Sequence, residues 1–287
     1  MKILGQTLIL LILLTILSCS GKKEEELKNN EVKTTTHKIE VIAHAGGGKL
    51  GPYNTIATFK KALEVGVDMI ELDVRLSEDD YVVVVHDPKI KGHDVNKMTL
   101  SEIREFDVGS WFDEKFKDER IPTLDKIMEL VNGKTKLLIE IKNLGEIHPG
   151  LEKKVVETIY KYKASNWVIV QSFNLNSVLR IKKIDPNIPT FYLFGRSFEN
   201  FGINFEDFYA DISKKVEDGK TVTKQFDGIS PHFASLNPER VKVLHKAGFK
   251  IYAWTVDEPE DMKNLIQMNV DGIITDSPVV LKKLLGR

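Results

Sequence analysis

The sequence has a single cysteine, Cys19, among its 287 residues. One cysteine excludes an internal disulfide, so the fold must rest on its hydrophobic core. An excess of one charge is also missing, since 41 basic and 42 acidic residues leave a formal net charge of −1. This balance gives no electrostatic reason to expect nucleic acid as a partner. No Gly-x-Gly-x-x-Gly motif precedes a predicted helix, which weakens the case for a doubly wound dinucleotide-binding sheet.

The only candidate targeting segment lies at the N-terminus. The apolar run Leu8–Leu17 follows a positively charged start and has the length of a secretory signal, too short to span a bilayer. It ends in Ile16-Leu17-Ser18-Cys19, which resembles the bacterial lipobox. The resemblance implies a signal peptide over residues 1–18 and an exported lipoprotein, periplasmic or at the cell surface, anchored to a membrane by lipid on Cys19. The alternative is an ordinary signal peptide with an incidental cysteine.

The rest of the chain divides into a polar stretch and one domain. Residues 19–38 are polar and of mixed charge, so they cannot bury enough surface to fold and are interpreted as a lipidated, flexible tether. Residues 39–287 alternate strand-like and helix-like segments, which favours a parallel sheet with crossover helices. This length and alternation predict an α/β fold, a (β/α)₈ TIM barrel.

Nine strand candidates compete for eight barrel positions. Residues 75–81 separate the second strand from Val82–His86, and parallel neighbours need a crossover of about a dozen residues. Val82–His86 should therefore pair antiparallel or leave the barrel. We assign it to an insertion of about residues 75–123 after the second strand, closed onto the rim by Trp111, Phe112, Phe116 and Ile121-Pro122.

The side-chain phase of two strands directs charge into the barrel. In Met69–Val74 the apolar residues share one face, while Glu71 and Asp73 share the other. In Leu137–Lys142 the same phase gives Glu140 the inward position. All three carboxylates come late in their strands, at the end where barrels carry their chemistry.

Together the three carboxylates predict a metal site at the barrel mouth. Uncompensated, they would repel one another and take up protons. A hard divalent cation removes that conflict, and oxygen ligands favour magnesium, calcium or manganese over zinc. The alternative for any one of them is an ion pair with Lys142, Arg75 or another base.

Two histidines end strands at the same mouth. His44 ends the first strand, before a run of three glycines, and His86 ends the strand of the insertion. A histidine can exchange protons near neutral pH, so a pair beside the carboxylates is interpreted as an acid–base pair. His86 should then reach the metal site from outside the barrel. The other five histidines are interpreted as surface or packing residues.

A series of short motifs resembles the glycerophosphodiester phosphodiesterases. In chain order these are His44-Ala45-Gly46-Gly47, Pro52-Tyr53-Asn54-Thr55, Glu71-Leu72-Asp73-Val74, His86-Asp87, Ile121-Pro122-Thr123-Leu124, Glu140-Ile141-Lys142, Gln171-Ser172-Phe173, Trp254-Thr255-Val256 and Asp271-Gly272-Ile273-Ile274-Thr275-Asp276. Each motif alone is weak. Their common order from about residue 39 to 285 carries the resemblance.

The resemblance implies a role for each site residue. Glu71, Asp73 and Glu140 match the ligands of one divalent cation, calcium or magnesium, and His44 and His86 match the general acid–base pair. Lys142 would hold a phosphate oxygen of a small phosphodiester substrate, although it could instead pair only with the carboxylates. Phe173 and Trp254 would line the substrate pocket, although Trp254 could equally be a barrel-core aromatic. The implied reaction yields an alcohol and glycerol 3-phosphate.

Two positions depart from the family pattern. The usual signature has His-Arg-Gly and Pro-Glu-Asn-Thr, whereas this chain has Ala45 and Tyr53 in place of the arginine and the glutamate. Loss of one partner alone would strand a charge, so the two changes are interpreted as coupled. Arg75 or Lys49 could replace the phosphate contact of the missing arginine.

Two other functions stay open at this point. One is a phospholipase D-like enzyme acting on sphingomyelin or lysophospholipid, which an apolar membrane-facing rim would favour. Candidates for such a rim are Trp111-Phe112 and Phe198, Phe201, Phe205 and Phe208, although the last four fit helix packing on the barrel better. The other is a non-catalytic, ligand-binding surface lipoprotein, against which the complete set of histidines and carboxylates argues. The oligomeric state is not indicated.

Overall fold

The computed structural model describes residues 38–195 and 203–287. The predicted signal peptide, Cys19 and the tether up to residue 37 lie outside the described residues, as do Phe198 and Phe201. Within the described ranges, no helix is both long and apolar enough to cross a membrane. All other residues predicted for the site fall inside these ranges.

Eight parallel strands form a closed barrel. They are β1 (Glu40–Ala43), β2 (Met69–Leu76), β3 (Lys136–Ile141), β4 (Val168–Ser172), β5 (Thr190–Phe194), β6 (Gly228–Pro231), β7 (Lys250–Ala253) and β8 (Gly272–Thr275). Each strand pairs with the next in the sequence, and β8 pairs with β1 to complete the circle.

A helix follows every strand of the barrel. The helices are α1 (Ile56–Val65), α2 (Leu124–Val131), α3 (Leu151–Lys161), α4 (Leu175–Ile184), α5 (Phe205–Glu217), α6 (Pro238–Lys246), α7 (Pro259–Met268) and α8 (Pro278–Leu284). The predicted (β/α)₈ TIM barrel is therefore confirmed. An open doubly wound sheet is excluded, because β1 pairs with both β2 and β8.

Side chains that alternate along β2 divide into two layers. Ile70, Leu72 and Val74 pack with helix residues on the outside of the sheet. The opposite phase packs inside the barrel, where a layer of large residues fills the lower part: Ile42, Met69, Leu138, Ile169, Phe191, Tyr252 and Ile274. Glu71 and Asp73 share the inward phase, so they lie above this apolar floor.

The insertion leaves the barrel where it is predicted to leave. Val82–Val84 pairs antiparallel with the end of β2, as the short connection requires. The chain continues through the small hairpin Lys89–Ile90 and His93–Asp94 and returns to the barrel at α2. The insertion has a core of its own: Val83, Ile90, Val95, Met98, Leu100, Ile103 and Ile121. It is therefore a folded lobe on the barrel rim.

Two predicted strands are longer than the observed ones. The first strand, predicted to end at His44, ends at Ala43, because residues 44–46 turn with Ala45 at φ 47° and Gly46 at φ 91°. The strand of the insertion ends at Val84, so His86 lies on the following turn. Both histidines consequently sit on connections rather than in strands.

The phenylalanine-rich stretch before β6 does not form an apolar rim within the described residues. Phe205 and Phe208 are buried in α5 and pack against Phe194 of β5. These two residues therefore pack a helix on the barrel, which was the alternative to an apolar rim. Trp111 and Phe112 are exposed, 62% and 36%, so of the described candidates only this pair is available at the rim.

Candidate active site

Three carboxylates meet inside the upper end of the barrel. Glu71 and Asp73 come from β2 and Glu140 from β3, and Asp73 is directly opposite Glu140 in the strand register. One ligand oxygen from each lies within 4.8 Å of the others. All three side chains are buried. The strand ladder therefore holds the cluster that the side-chain phase predicted.

Two hydrogen-bond donors, one of them charged, reach the cluster from neighbouring connections. Lys142, just after β3, places Nζ 2.6 Å from Glu140 Oε1 and 3.1 Å from Asp73 Oδ1. The side-chain amide of Asn54 donates to Asp73 Oδ2 at 2.9 Å. A single ammonium group shared by two carboxylates leaves the cluster with excess negative charge.

This excess shows in the pKa values of the cluster. Burial and the charge of Asp73 raise the pKa of Glu71 to about 8, although the backbone N–H of Ala45 donates to Glu71 Oε2 at 2.8 Å. Burial also raises the pKa of Glu140. Burial acts the same way on Asp73, but there the charges of Lys142, His86 and His44 and the hydrogen bond from Asn54 together outweigh it and lower the pKa. Ionisation of all three carboxylates together is therefore unfavourable without further positive charge.

The donor set fits a hard divalent cation. The three ligand atoms are oxygens within reach of one ion. Glu140 Oε1 is buried and pairs with Lys142 Nζ at 2.6 Å. A carboxylate has about four lone-pair sites on its two oxygens, so Glu140 can accept from the ammonium group and still bind a cation.

His44 is fixed by a carboxylate from the far end of the sequence. Its Nδ1 donates to Asp276 Oδ1 at 2.8 Å, which leaves Nε2 for proton exchange. Burial lowers the pKa of His44, but the hydrogen bond to Asp276 and the charges of Glu71 and Asp73 outweigh it and raise the pKa to about 9. The ring is therefore held in orientation and electrostatically coupled to the cluster.

Asp276 is in turn held by two further groups. Tyr53 donates its hydroxyl to Asp276 Oδ2 at 3.0 Å, and the backbone N–H of Gly48 donates to Oδ1 at 3.3 Å. Burial raises the pKa of Asp276, but the hydrogen bond and charge of His44, with the hydrogen bonds from Tyr53 and Gly48, together outweigh it, so the pKa lies below its ordinary value. Asp276 is thus a carboxylate anchored from several sides.

His86 approaches from the insertion and is much more open. Its backbone carbonyl accepts two hydrogen bonds from the Arg75 guanidinium, at 2.7 and 3.0 Å. Arg75 also donates to the carbonyl of Lys142 at 3.2 Å, so it ties the insertion to the end of β3. The His86 ring pairs with Asp87 at 2.8 Å, and 59% of its side chain is exposed.

Two cavities meet at these histidines. The inner cavity, about 200 Å³, is lined by His44, Glu71, His86, Glu140, Lys142, Gln171, Phe173, Leu193, Trp254, Thr255 and Ile274. The outer groove, about 560 Å³, lies between the barrel rim and the insertion and is also lined by His44 and His86. The structure thus brings all the predicted site residues from 44 to 254 to one mouth.

The predicted pocket aromatics line the inner cavity. Phe173 and Trp254 meet edge to face with ring centroids 5.4 Å apart. Trp254 also packs on the inner apolar layer, and its Nε1 donates to the Ser230 carbonyl at 2.7 Å. Trp254 is therefore both a barrel-core residue and a cavity wall, which combines the two interpretations of its sequence position.

The two residues that depart from the family pattern both line the outer groove. Ala45 lines the outer groove, and Tyr53 stacks on Trp111 with centroids 5.6 Å apart. Arg75, which was considered as a substitute for the missing arginine, instead donates to backbone carbonyls. Lys49 is exposed on the β1–α1 connection, and its contact with phosphate stays a prediction.

Sequence reasoning gave no role to Asp276, Asn54 or the Tyr53–Asp276 contact. Asp276 appeared only as the last residue of a family motif. One signal was present, because Asp276 follows β8 directly and therefore lies at the same end of the barrel as His44 after β1. Asn54 had no such signal, since it lies on a connection and adopts a positive φ of 57°.

Comparisons with known proteins agree with this geometry. A profile of the Glycerophosphoryl diester phosphodiesterase family matches residues 44–280. A glycerophosphodiester phosphodiesterase of Caldanaerobacter subterraneus subsp. tengcongensis is 39% identical over 87% of this chain and 99% of its own length. A mouse lysophospholipase D is 26% identical over 85% of both chains.

A solved structure extends the agreement to three dimensions. The glycerophosphodiester phosphodiesterase of Thermotoga maritima superposes with a TM-score of 0.66 at 28% identity, covering 87% of this chain and all of the other. The family match, the relatives and the fold point the same way. The chain belongs to the glycerophosphoryl diester phosphodiesterase family.

Proposed function

We propose that this protein hydrolyses glycerophosphodiesters to an alcohol and glycerol 3-phosphate, using one divalent cation and two histidines. One observation carries the proposal: His44 and His86 line the same inner cavity as the carboxylates Glu71 and Glu140. Proton-transfer groups and cation ligands are therefore within reach of a single phosphate group. Enzymes named for this activity are among the relatives of the chain.

The cation would be held by Glu71, Asp73 and Glu140. When bound, it would neutralise phosphate charge and polarise the phosphoryl group. Oxygen ligands favour magnesium or calcium. Lys142 contributes a second positive charge, because its ammonium group contacts two of the carboxylates and lines the inner cavity. From this position it can meet a phosphate oxygen.

The histidines supply proton transfer on the two sides of the reacting phosphorus. One accepts a proton from the attacking water, and the other protonates the departing alcohol oxygen. Asp276 fixes the tautomer of His44 so that Nε2 is the exchanging nitrogen. Arg75 holds the backbone of His86 in place on the insertion. The barrel thus positions one histidine and the insertion the other.

A product assay tests the proposal. The purified full chain would be incubated with glycerophosphocholine, with and without EDTA, and the products identified by ³¹P NMR. We expect glycerol 3-phosphate in the presence of magnesium or calcium and none in EDTA. Parallel reactions with lysophosphatidylcholine and sphingomyelin test the phospholipase D-like alternative, which choline release with a lipid phosphate left behind would support. A chain that turns over no diester with any cation would be a binding protein.

We further propose that the enzyme is a membrane-anchored lipoprotein, lipidated at Cys19 after removal of residues 1–18. Support comes from the sequence alone: the apolar run Leu8–Leu17 ends at the one cysteine. Several acyl carbons on one residue would give durable anchoring. Cells producing the chain would be labelled with palmitate and fractionated. We expect label in the membrane-bound protein and none in Cys19→Ser; equal labelling of both would overturn the anchor.

A further inference from the structure

The inner cavity and the outer groove share His44 and His86 in their walls. A phosphodiester has two arms joined at one phosphorus atom. If the reacting phosphorus lies beside the two histidines, as the proposed function requires, each cavity can take one arm. The two cavities therefore determine which arm of the phosphodiester is the leaving alcohol. This inference rests on the proposed function.

The inner cavity suits the small, polar arm. Its volume is about 200 Å³, and Gln171 and Thr255 add polar side chains to its walls. The aromatic pair Phe173 and Trp254 closes another side. A glycerol unit offers both hydroxyl groups and a short carbon chain to such a wall. The outer groove, at about 560 Å³, falls within the range of about 300–1,000 Å³ typical of pockets for larger ligands.

The walls of the outer groove are mainly aliphatic. On the side of the insertion they include Val84, Val85, Ile90, Val108 and Ile121. Most of these belong to or pack against the separate core of the insertion, so the lobe presents the edge of its own core to the groove. Such a surface favours an apolar ligand.

The ionisable groups of the groove give no preference for one charge. Besides the cluster residue Asp73, the lining includes two carboxylates, Asp87 and Asp107, and two ammonium groups, Lys89 and Lys91. A site for a cationic head group would need an excess of negative charge or an aromatic cage closed around the cation. The aromatic rings here, Tyr53 and Trp111, stack on each other instead.

Both departures from the family pattern change the groove in the same direction. Ala45 places a methyl group in its lining where the family signature has an arginine. Tyr53 places a ring where the signature has a glutamate, and its hydroxyl is occupied by Asp276. A charged pair is thus replaced by apolar surface on the barrel side, facing the aliphatic wall of the insertion.

We propose that the outer groove binds the leaving alcohol and that this alcohol is an acylglycerol. The substrate class is then a diester that joins free glycerol phosphate to a monoacylated glycerol. A water oxygen bonds to phosphorus, the bond from phosphorus to the acylglycerol oxygen breaks, and that oxygen takes up a proton. The products are glycerol phosphate and monoacylglycerol. Trp111, 62% exposed, forms the lip over which the acyl chain enters.

A matched pair of substrates tests the inference. Glycerophosphoglycerol and 1-octanoyl-lysophosphatidylglycerol, used below its micellar concentration, differ only in the acyl group. Each methylene buried from water contributes about fourfold in affinity, so burial of two or more should raise kcat/KM at least about tenfold. We expect the purified full chain with magnesium to show this preference. Mass spectrometry should find monooctanoylglycerol beside glycerol phosphate.

Variants assign the preference to the groove. Trp111→Ala should lower the octanoyl preference several-fold, and Ala45→Arg should lower it further by restoring charge in the lining. Tyr81→Ala is the matched control, because Tyr81 is a 48% exposed aromatic of the insertion that does not line the groove. It should keep the preference of the unmodified chain.

The contradicting outcomes are separable. Equal kcat/KM for the two diesters would overturn the inference and leave the proposed function standing. Release of free glycerol with a lysophosphatidic acid would also overturn it, because the acyl arm would then stay with the phosphate. Absence of turnover with both diesters would overturn the proposed function and the inference together.

Discussion

The two histidine-bearing regions of the active site are built in different ways. The barrel mouth carries its carboxylates on hydrogen-bonded strands, with Asp73 and Glu140 opposite each other in register. In the insertion, His86 lies on a turn, and its carbonyl accepts two hydrogen bonds from Arg75 of β2. The carboxylates are buried, whereas 59% of the His86 side chain is exposed.

This difference separates two tasks. A cation site needs ligand oxygens at fixed separations, which a strand ladder provides. Substrate entry needs an opening, which a separate lobe on the rim can provide at the cost of a less rigid connection. We therefore expect changes in the barrel mouth to abolish cation binding, and changes in the insertion to affect turnover without affecting cation binding.

The largest effect is expected from the strand carboxylates. Glu140→Gln removes a ligand oxygen charge and should lower kcat on the order of 10³-fold, because the bound cation supplies several kcal/mol of charge stabilisation. It should also abolish the rise in melting temperature on adding magnesium or calcium. Thermal-shift and turnover measurements on the same samples check both effects.

Glu40→Gln is the matched control for that variant. Glu40 is a strand carboxylate of β1 at the opposite end of the barrel, bonded to Lys136 and to the Tyr252 hydroxyl. The variant should keep the cation-dependent shift and most of the turnover. If Glu40→Gln lost the cation response as fully as Glu140→Gln, the cluster would not be the cation site.

A smaller loss is expected for the histidine of the insertion. His86→Gln should lower kcat by about 10²–10⁴-fold, the range usual for loss of a general acid or base. Because the side chain is largely exposed, the melting temperature and the cation-dependent shift should stay at their original values. His93→Gln, another exposed histidine of the insertion, should leave turnover intact. A loss of cation binding in His86→Gln would contradict the separation of tasks.

The connection between the two regions can be loosened directly. Arg75→Lys keeps the charge but cannot reproduce the forked contact with the His86 carbonyl. We expect kcat to fall by about 10–100-fold, as for other residues that orient an active-site group. The cation-dependent thermal shift should remain. Unchanged turnover would show that His86 is positioned without Arg75.

The smallest expected effect is a pH dependence of stability that comes from His148, next to Arg75. His148 is buried next to Arg75, and burial together with the arginine charge lowers its pKa to about 4. Between pH 6.5 and 4 the unfolded chain therefore binds more protons at this residue than the folded chain does. The free energy of unfolding should fall as the pH decreases through this window. Above pH 6.5 the contribution of His148 to stability should be fully present.

Denaturant unfolding at several pH values checks that expectation. His148→Gln should show a shallower fall between pH 6.5 and 4 than the unmodified chain. His93→Gln serves as the control, and its slope should match that of the unmodified chain. An unchanged slope in His148→Gln would mean that the ring does not become protonated on unfolding in that range.

Local pattern predicted the parts of the site that are built on strands. A period of two fixes which face a side chain takes, so the inward direction of Glu71, Asp73 and Glu140 followed from the sequence. The insertion followed from a connection too short for a parallel pair. Both inferences use rules that act over a few residues.

The other features of the site depend on tertiary contacts and backbone turns that a local sequence pattern does not reveal. Asp276 is 232 positions from His44, and only the closure of the barrel between β8 and β1 brings them together. Arg75 was one of two hypothetical substitutes for the missing phosphate contact, but three hydrogen bonds to the backbone carbonyls of His86 and Lys142 determine its place. The turn at Ala45 was missed because its positive φ is uncommon for a residue with a side chain.

One titration tests the central claim, that the buried carboxylates hold the cation on which turnover depends. The full chain, stripped of metal, would be titrated with Mn²⁺, with binding followed by EPR and glycerophosphocholine turnover measured on the same samples. We expect both signals to saturate together at one ion per chain, and Glu71→Gln to lose both. Full turnover in the stripped chain, or unchanged Mn²⁺ binding in Glu71→Gln, would contradict the account.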